Sequence, residues 1–278
     1  MENAVTFTPK IGIIAVMLGS MATSAMANNK DVAIDIIQNG IIGADRSIIE
    51  AHVAENIIPH NPNAAPGRAG VLGYIDYLSS LGAPIPSKII RILAEGELVV
   101  MQREVDFFGP KVFFDLLRFE DGQMAEHWDV AQPWVEETAS GRTMTDGPTE
   151  ISGAAATADN KRLVTDFVTD VLMYGELDKL DSYLAPEYMQ HNPFVPDKLE
   201  GLKGFIAYLS EQKTVFYYEK IHNVVAEGNF VFVQSEGVFD GKPTAFNDLW
   251  RVENGMLVEH WDAVQEIPEN FAHDNGMF

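Results

Sequence analysis

The sequence predicts an α+β fold built twice in one chain. Three observations carry that expectation. Landmarks recur in the same order in both halves, each half opens with apolar residues at helical spacing, and each continues with β-rich runs broken by turn dipeptides. His60-Asn61-Pro62 matches His191-Asn192-Pro193, and Ala94-Glu95-Gly96 matches Ala226-Glu227-Gly228. The frame D-L-x-R-x-E-x-G-x-x-x-E-H-W-D runs from Asp115 to Asp129 and again from Asp248 to Asp262. Two long copies make a tandem pair, whereas a solenoid needs shorter periods and more units.

The first segment reads as an address. Lys10 precedes the apolar run from Ile11 to Leu18, and Ala25-Met26-Ala27 fits a small-residue cleavage site. The run is too short for a comfortable membrane span. Cleavage after Ala27 and export, to a periplasm or outside the cell, are expected; an uncleaved N-terminal anchor is the alternative. The domain division is then 1–27 leader, 28–136 first copy, 137–158 linker and 159–278 second copy. The linker is rich in small and polar residues, so it is expected to be exposed.

In the second copy Leu163, Phe167 and Val171 form one helical row, with Val164, Val168 and Leu172 beside it. Asp159 is the expected N-cap and Gly175 the stop. A short helix follows over 177–184. The first copy repeats this with Val32, Ile36 and Ile37, then 47–53. A third helix is expected near Leu202–Leu209. Phe230-Val231-Phe232-Val233 is a β-rich run, and Asp121-Gly122, Asp240-Gly241 and Asn254-Gly255 are hairpin signals. Each copy is therefore helices followed by an antiparallel sheet.

Composition excludes several functions. The formal net charge is −22, which repels nucleic acid and anionic lipid. With no cysteine there is no disulfide, thiolate nucleophile or cysteine metal site. No phosphate loop or dinucleotide glycine fingerprint is present.

Alternation along strands points to a site. Val258, His260 and Asp262 fall on one face, and Glu259 and Trp261 on the other. If Asn254-Gly255 closes a hairpin, Asp248, His260 and Asp262 converge; the first copy offers Asp115, His127 and Asp129. A one-residue slip would reverse both faces. Two carboxylates and an imidazole among apolar residues can hold and release protons near neutral pH. The plainer reading is a carboxylate that orients the nearby histidine. His60 and His191 belong either to a turn before Asn-Pro or to the mouth of the site. A two-His, one-carboxylate metal set lacks short ligand spacing, so no metal and no cofactor are expected.

The H-N-P, A-E-G and D-L-x-R-x-E-x-G-x-x-x-E-H-W-D motifs resemble those of the SnoaL-like polyketide cyclase family, in the nuclear transport factor 2-like superfamily. The resemblance covers both copies. It implies a cone-shaped α+β barrel in each, and cofactor-free aldol cyclisation with an acidic side chain as acid/base. That role falls on Asp262 and Asp129, with Asp248 and Asp115 beside them. The expectation is thus an exported lyase, isomerase or aldol-type cyclase for a small apolar carbonyl compound, with His260 or His191 stabilising an enolate. A small-ligand binding protein without turnover is the rival, and a purely structural pair of domains a third reading. Trp128 and Trp261 are expected to meet across an intrachain pseudo-dimer, which leaves room for further homo-oligomers.

Overall fold

Turn chemistry sets the sheets. Asp121-Gly122, Asp240-Gly241 and Asn254-Gly255 all have positive φ at both residues, the geometry that joins adjacent antiparallel strands with the right twist. A computed structural model of the chain describes residues 28–278, so the expected leader lies outside the described residues.

The first copy is helical from residue 28, with wide π-type turns over Asp35–Ile42 (α1). There follow α2 (Arg46–His52), β1 (Val53–Pro59), α3 (Gly67–Ser80), β2 (Ser87–Glu95), β3 (Leu98–Asp106), β4 (Pro110–Glu120) and β5 (Gln123–Pro133). The second copy repeats this with α4 (Thr157–Phe167), α5 (Leu180–Tyr183), β6 (Leu184–Gln190), α6 (Lys198–Glu211), β7 (Phe216–Glu227), β8 (Phe230–Phe239), β9 (Lys242–Glu253) and β10 (Met256–Glu266). The sheets run β1-β5-β4-β3-β2 and β6-β10-β9-β8-β7. The chain is thus two α+β units.

Three expectations need correction. The sheets are mixed, because β1 and β6 pair in parallel with β5 and β10. These strands escaped the sequence because V-A-E-N-I-I-P and L-A-P-E-Y-M-Q lack clean alternation and carry proline. The helix expected to start at Asp159 starts at Thr157. The stretch 137–158 is not simply exposed, since Met144 and Thr145 are buried.

Each copy wraps its helices around an apolar interior. Ile36, Ile49, Ile75, Leu117 and Phe119 fill the first, and Val164, Phe167, Val231, Phe246 and Trp250 the second. A third cluster lies between the sheets and joins the copies. Trp128 and Trp261 both belong to it, with Phe114, Phe230, Phe232 and Leu249. Each fully buried phenylalanine there contributes about 2 kcal/mol of burial.

The contacts across this interface are reciprocal. The Ala131 N–H donates to Gln265 Oε1, and the Val264 N–H to Gln132 Oε1, both at 2.9 Å. The Ala94 N–H donates to Glu227 and the Ala226 N–H to Glu95. Lys30 pairs with Glu227 and Lys161 with Glu95. The A-E-G landmarks are therefore clasps between copies. The segments after β5 and β10 are exchanged as well. The Ala139 N–H donates to Pro193 O and the Ala272 N–H to Pro62 O, each 2.8 Å. Met144 and Met277 both enter the shared core. The first part of the linker is thus the counterpart of the C-terminal tail.

Candidate functional site

The site follows from strand register. On the β9–β10 hairpin, Asp262 sits opposite Asp248 and His260 opposite Trp250. On the β4–β5 hairpin, Asp129 sits opposite Asp115. Cross-strand neighbours lie about 5 Å apart, so each pair of acids shares a face. A register shift between Leu257 and Glu259 turns Leu257 into the interior. Val258, placed on the His260 face by strict alternation, is displaced by that bulge and is only half-buried.

In the second copy these groups close one end of a cavity of about 840 Å³. Its walls are mostly aromatic and aliphatic, including Phe167, Phe205, Phe216 and Phe246. Its polar end carries Gln190, Asn192, Asp248, His260 and Asp262. Gln190 Oε1 accepts from the backbone N–H groups of His191 and Asn192, which fixes its amide. His260 Nδ1 lies 2.9 Å from that oxygen and donates to it. His260 Nε2 lies 2.9 Å from Asp248 Oδ1. Each ring nitrogen therefore faces an oxygen. The Tyr218 hydroxyl also donates to Asp248, at 3.1 and 3.2 Å. Burial, then the charge of Asp248, push that hydroxyl well above its usual range, so it stays a donor.

Asp262 is different. Asn192 Nδ2 donates to its Oδ2 at 2.6 Å, but its buried Oδ1 has no hydrogen-bond partner among the described residues. Burial first, and the neighbouring Asp248 charge second, push its carboxyl up to about 6 against the pull of His260. A buried carboxylate with a bare oxygen on a cavity can accept a proton near neutral pH.

The first copy assembles the same trio under other constraints. Arg103 grips Asp115 with two bonds, 2.6 and 2.9 Å. His127 Nε2 lies 3.1 Å from Asp115. Burial alone would raise Asp115, but Arg103 and His127 overcome it and hold the group at about 2. Burial is also the largest influence on His127, yet its bond to Asp115 and the nearby Asp129 raise it. Asp129, bonded to Asn61 Nδ2 at 2.7 Å, is raised chiefly by burial. The register places Ser235 in the second copy where the first has Arg103. Nothing in the repeated frame announced the clamp.

His60 and His191 are not in either site, which corrects their placement at a cavity mouth. Each points to the interface side. His191 Nε2 meets Glu259 at 2.9 Å and its ring stacks on Trp261 at 4.8 Å. His60 Nε2 meets Glu126 at 2.9 Å and stacks on Trp128 at 4.7 Å. Arg251 and Arg118 hold the same glutamates. His191 therefore lies outside the cavity lining, and the asparagine beside it, missed from sequence, is the H-N-P residue that touches the site.

One ligand atom from each of Asp248, His260 and Asp262 lies within 4.8 Å of the others, as is true of Asp115, His127 and Asp129. A cation could use such donors. In the second copy, however, the His260 Nε2 proton points at Asp248, so ligation would first have to displace it. The bonded trio accounts for its own geometry.

Comparison with known proteins gives a match over part of the chain. Residues 164–260 match the SnoaL-like domain. No curated protein sequence matches the chain. Among solved structures, similarity extends to IdmH, a putative polyketide cyclase from Streptomyces antibioticus, at 17% identity over 37% of this chain and 91% of that one, TM-score 0.34. A putative polyketide cyclase from Bacillus cereus is similar at 17% identity over 41% and 80%, TM-score 0.36. An M. tuberculosis LEH-like epoxide hydrolase is similar at 14% identity over 39% and 85%, TM-score 0.34. The match to the SnoaL-like domain is confined to residues 164–260, and the first half of the chain repeats the helix and strand order of that segment.

Proposed function

We propose that the second copy is a cofactor-independent acid–base catalyst for a small, largely apolar carbonyl compound. The observation that carries this is the buried, unpartnered Oδ1 of Asp262, a residue that lines the apolar cavity. Asp262 takes a proton from the carbon beside the carbonyl, and the electron pair moves onto the carbonyl oxygen as an enolate. Tyr218 and His260 both face Asp248 in the resting site, and sharing one of these contacts with the enolate oxygen as its charge develops stabilises the oxyanion. The Asp262 carboxyl then returns its proton, to a new carbon in an isomerisation or to a leaving or acceptor oxygen in a lyase or aldol step. Asp248 holds both donors in place. In the first copy Arg103 grips Asp115, a constraint the second copy lacks, and Asp129 carries at most a weaker activity. Export to the periplasm or beyond is part of this proposal; its support is Lys10, the apolar run and Ala25-Met26-Ala27.

The test is deuterium uptake in D2O by a panel of β-dicarbonyl and cyclic enone compounds, with wild type, Asp262→Asn, Asp129→Asn and the double variant. Uptake should fall about 100-fold or more in Asp262→Asn and persist in Asp129→Asn. No uptake above buffer for any compound, with all variants folded, would leave a binding protein as the reading.

A further inference from the structure

A second cavity, about 490 Å³, lies between the copies and away from the site above. Its walls include Trp128, Asn223, Arg118, Lys161 and the carboxylates of Glu95, Glu97 and Glu126. The internal two-fold repeat shows what occupies the equivalent place in the other half. There, Arg91 lies with its guanidinium 3.9 Å above the Trp261 ring, on a tryptophan whose stacking partner is His191. Arg91 Nη1 donates to Gln102 Oε1 at 2.5 Å. Its remaining donors reach the carbonyls of Thr145, Asp146 and Pro148. Trp261 Nε1 donates to Asp146 O at 2.9 Å.

At the matching position of the second copy stands Asn223, which donates to Gln234 Oε1 at 2.8 Å just as Arg91 donates to Gln102. Asparagine is shorter than arginine, and Trp128 is 6% exposed where Trp261 is fully buried. Trp128 keeps its histidine stack, but its Nε1 is buried with no partner among the described residues. An unmet buried N–H is costly, and a ligand that supplies an acceptor recovers that cost. The lining holds three carboxylates against two cations, Lys161 on Glu95 and Arg118 on Glu126. A cation that can lie flat on an indole is favoured there.

We propose that this cavity binds a guanidinium compound that also carries a carbonyl or carboxylate oxygen, arginine being the simplest. The guanidinium takes the place on Trp128 that Arg91 takes on Trp261, and the oxygen accepts from Trp128 Nε1. This site is independent of the acid–base reading.

The experiment is a titration of the full chain carrying ¹⁵N-labelled tryptophan, followed at the indole N–H resonances, with the Trp128 signal assigned by its loss in Trp128→Phe. L-Arginine is the probe, with citrulline, glutamate and N-acetyl-arginine methylamide alongside. Arginine should shift the Trp128 indole signal saturably, and citrulline and glutamate should not. Asn223→Arg rebuilds the Arg91 arrangement and should abolish the response. Glu97→Lys, on the exposed rim, should weaken it about tenfold and serves if Asn223→Arg misfolds. Either arginine form binding more tightly supports the site and distinguishes a free amino acid from an arginine within a peptide. No saturable shift with either form, an equal shift with citrulline, or an unchanged response in Asn223→Arg would overturn the proposal.

Discussion

Asp262 shows how one side chain can be costly to the fold and central to the chemistry. Its carboxyl is pushed up to about 6, chiefly by burial, from about 4 in an unfolded chain. The folded state therefore holds the proton more tightly. Stability falls as pH rises from about 4 to about 6, and the penalty persists above that range. Asp262→Asn should stabilise the protein at neutral pH by about 1–3 kcal/mol while removing proton abstraction, and denaturant titrations at neutral pH would check this. Exchange activity in wild type should rise with pH through about 6, as the base loses its proton. Asn192→Ala removes the bond that favours the charged form, so the midpoint of that rise should move higher; a midpoint that falls would contradict the role. Asp115 has the opposite sign. Held at about 2 by Arg103 and His127, it contributes stability present above about 4 and lost as pH falls through about 2.

The motifs act through pairs of elements. Parallel β6 lies beside β10, and its end brings H-N-P against E-H-W-D. Asn192 then reaches Asp262 on the cavity side while His191 reaches Glu259 on the interface side. One strand thus serves chemistry with alternate residues and cohesion with the others. The exchanged arms fasten the same places. Thr143 O lies 2.8 Å from His191 Nδ1, and Gly276 O lies 3.1 Å from His60 Nδ1. Met144 and Met277 anchor the arms at 1% and 4% exposure. Met144→Ala and Met277→Ala should each cost about 2–4 kcal/mol by leaving cavities in the shared core. Thermal unfolding would measure this, and a loss below about 0.5 kcal/mol would mean that the arms lie loosely on the surface.

At the scale of the molecule, the copies share one apolar layer and specialise within it. Phe230, Phe232, Leu249 and Trp261 of the second copy face Phe114, Leu116 and Trp128 of the first. A second copy produced alone, residues 149–278, would uncover that face. Patches of this kind drive association, so sedimentation should show self-association or aggregation; a stable monomer would contradict the shared core. Joining both sheets in one chain also frees each half from being identical. That freedom permits Arg103 in one cavity and Ser235 in the other, and Arg91 on one tryptophan with Asn223 near the other.

Duplication, the α+β class, the hairpin turns and the trios Asp115-His127-Asp129 and Asp248-His260-Asp262 were legible in the sequence. Turn dipeptides and period-two alternation are local, and local chemistry survives folding unchanged. The parallel strands were hidden because their pairing partner lies some 70 residues away and their own pattern is weak. The same distance concealed which H-N-P residue met which acid. The linker looked merely polar because its burial depends on the other copy. Tertiary structure alone placed His60 and His191 on the interface, clamped Asp115 with Arg103 and left Asp262 an open oxygen. Proton affinity depends on which groups and how little water surround a side chain in space, and chain neighbours do not determine that.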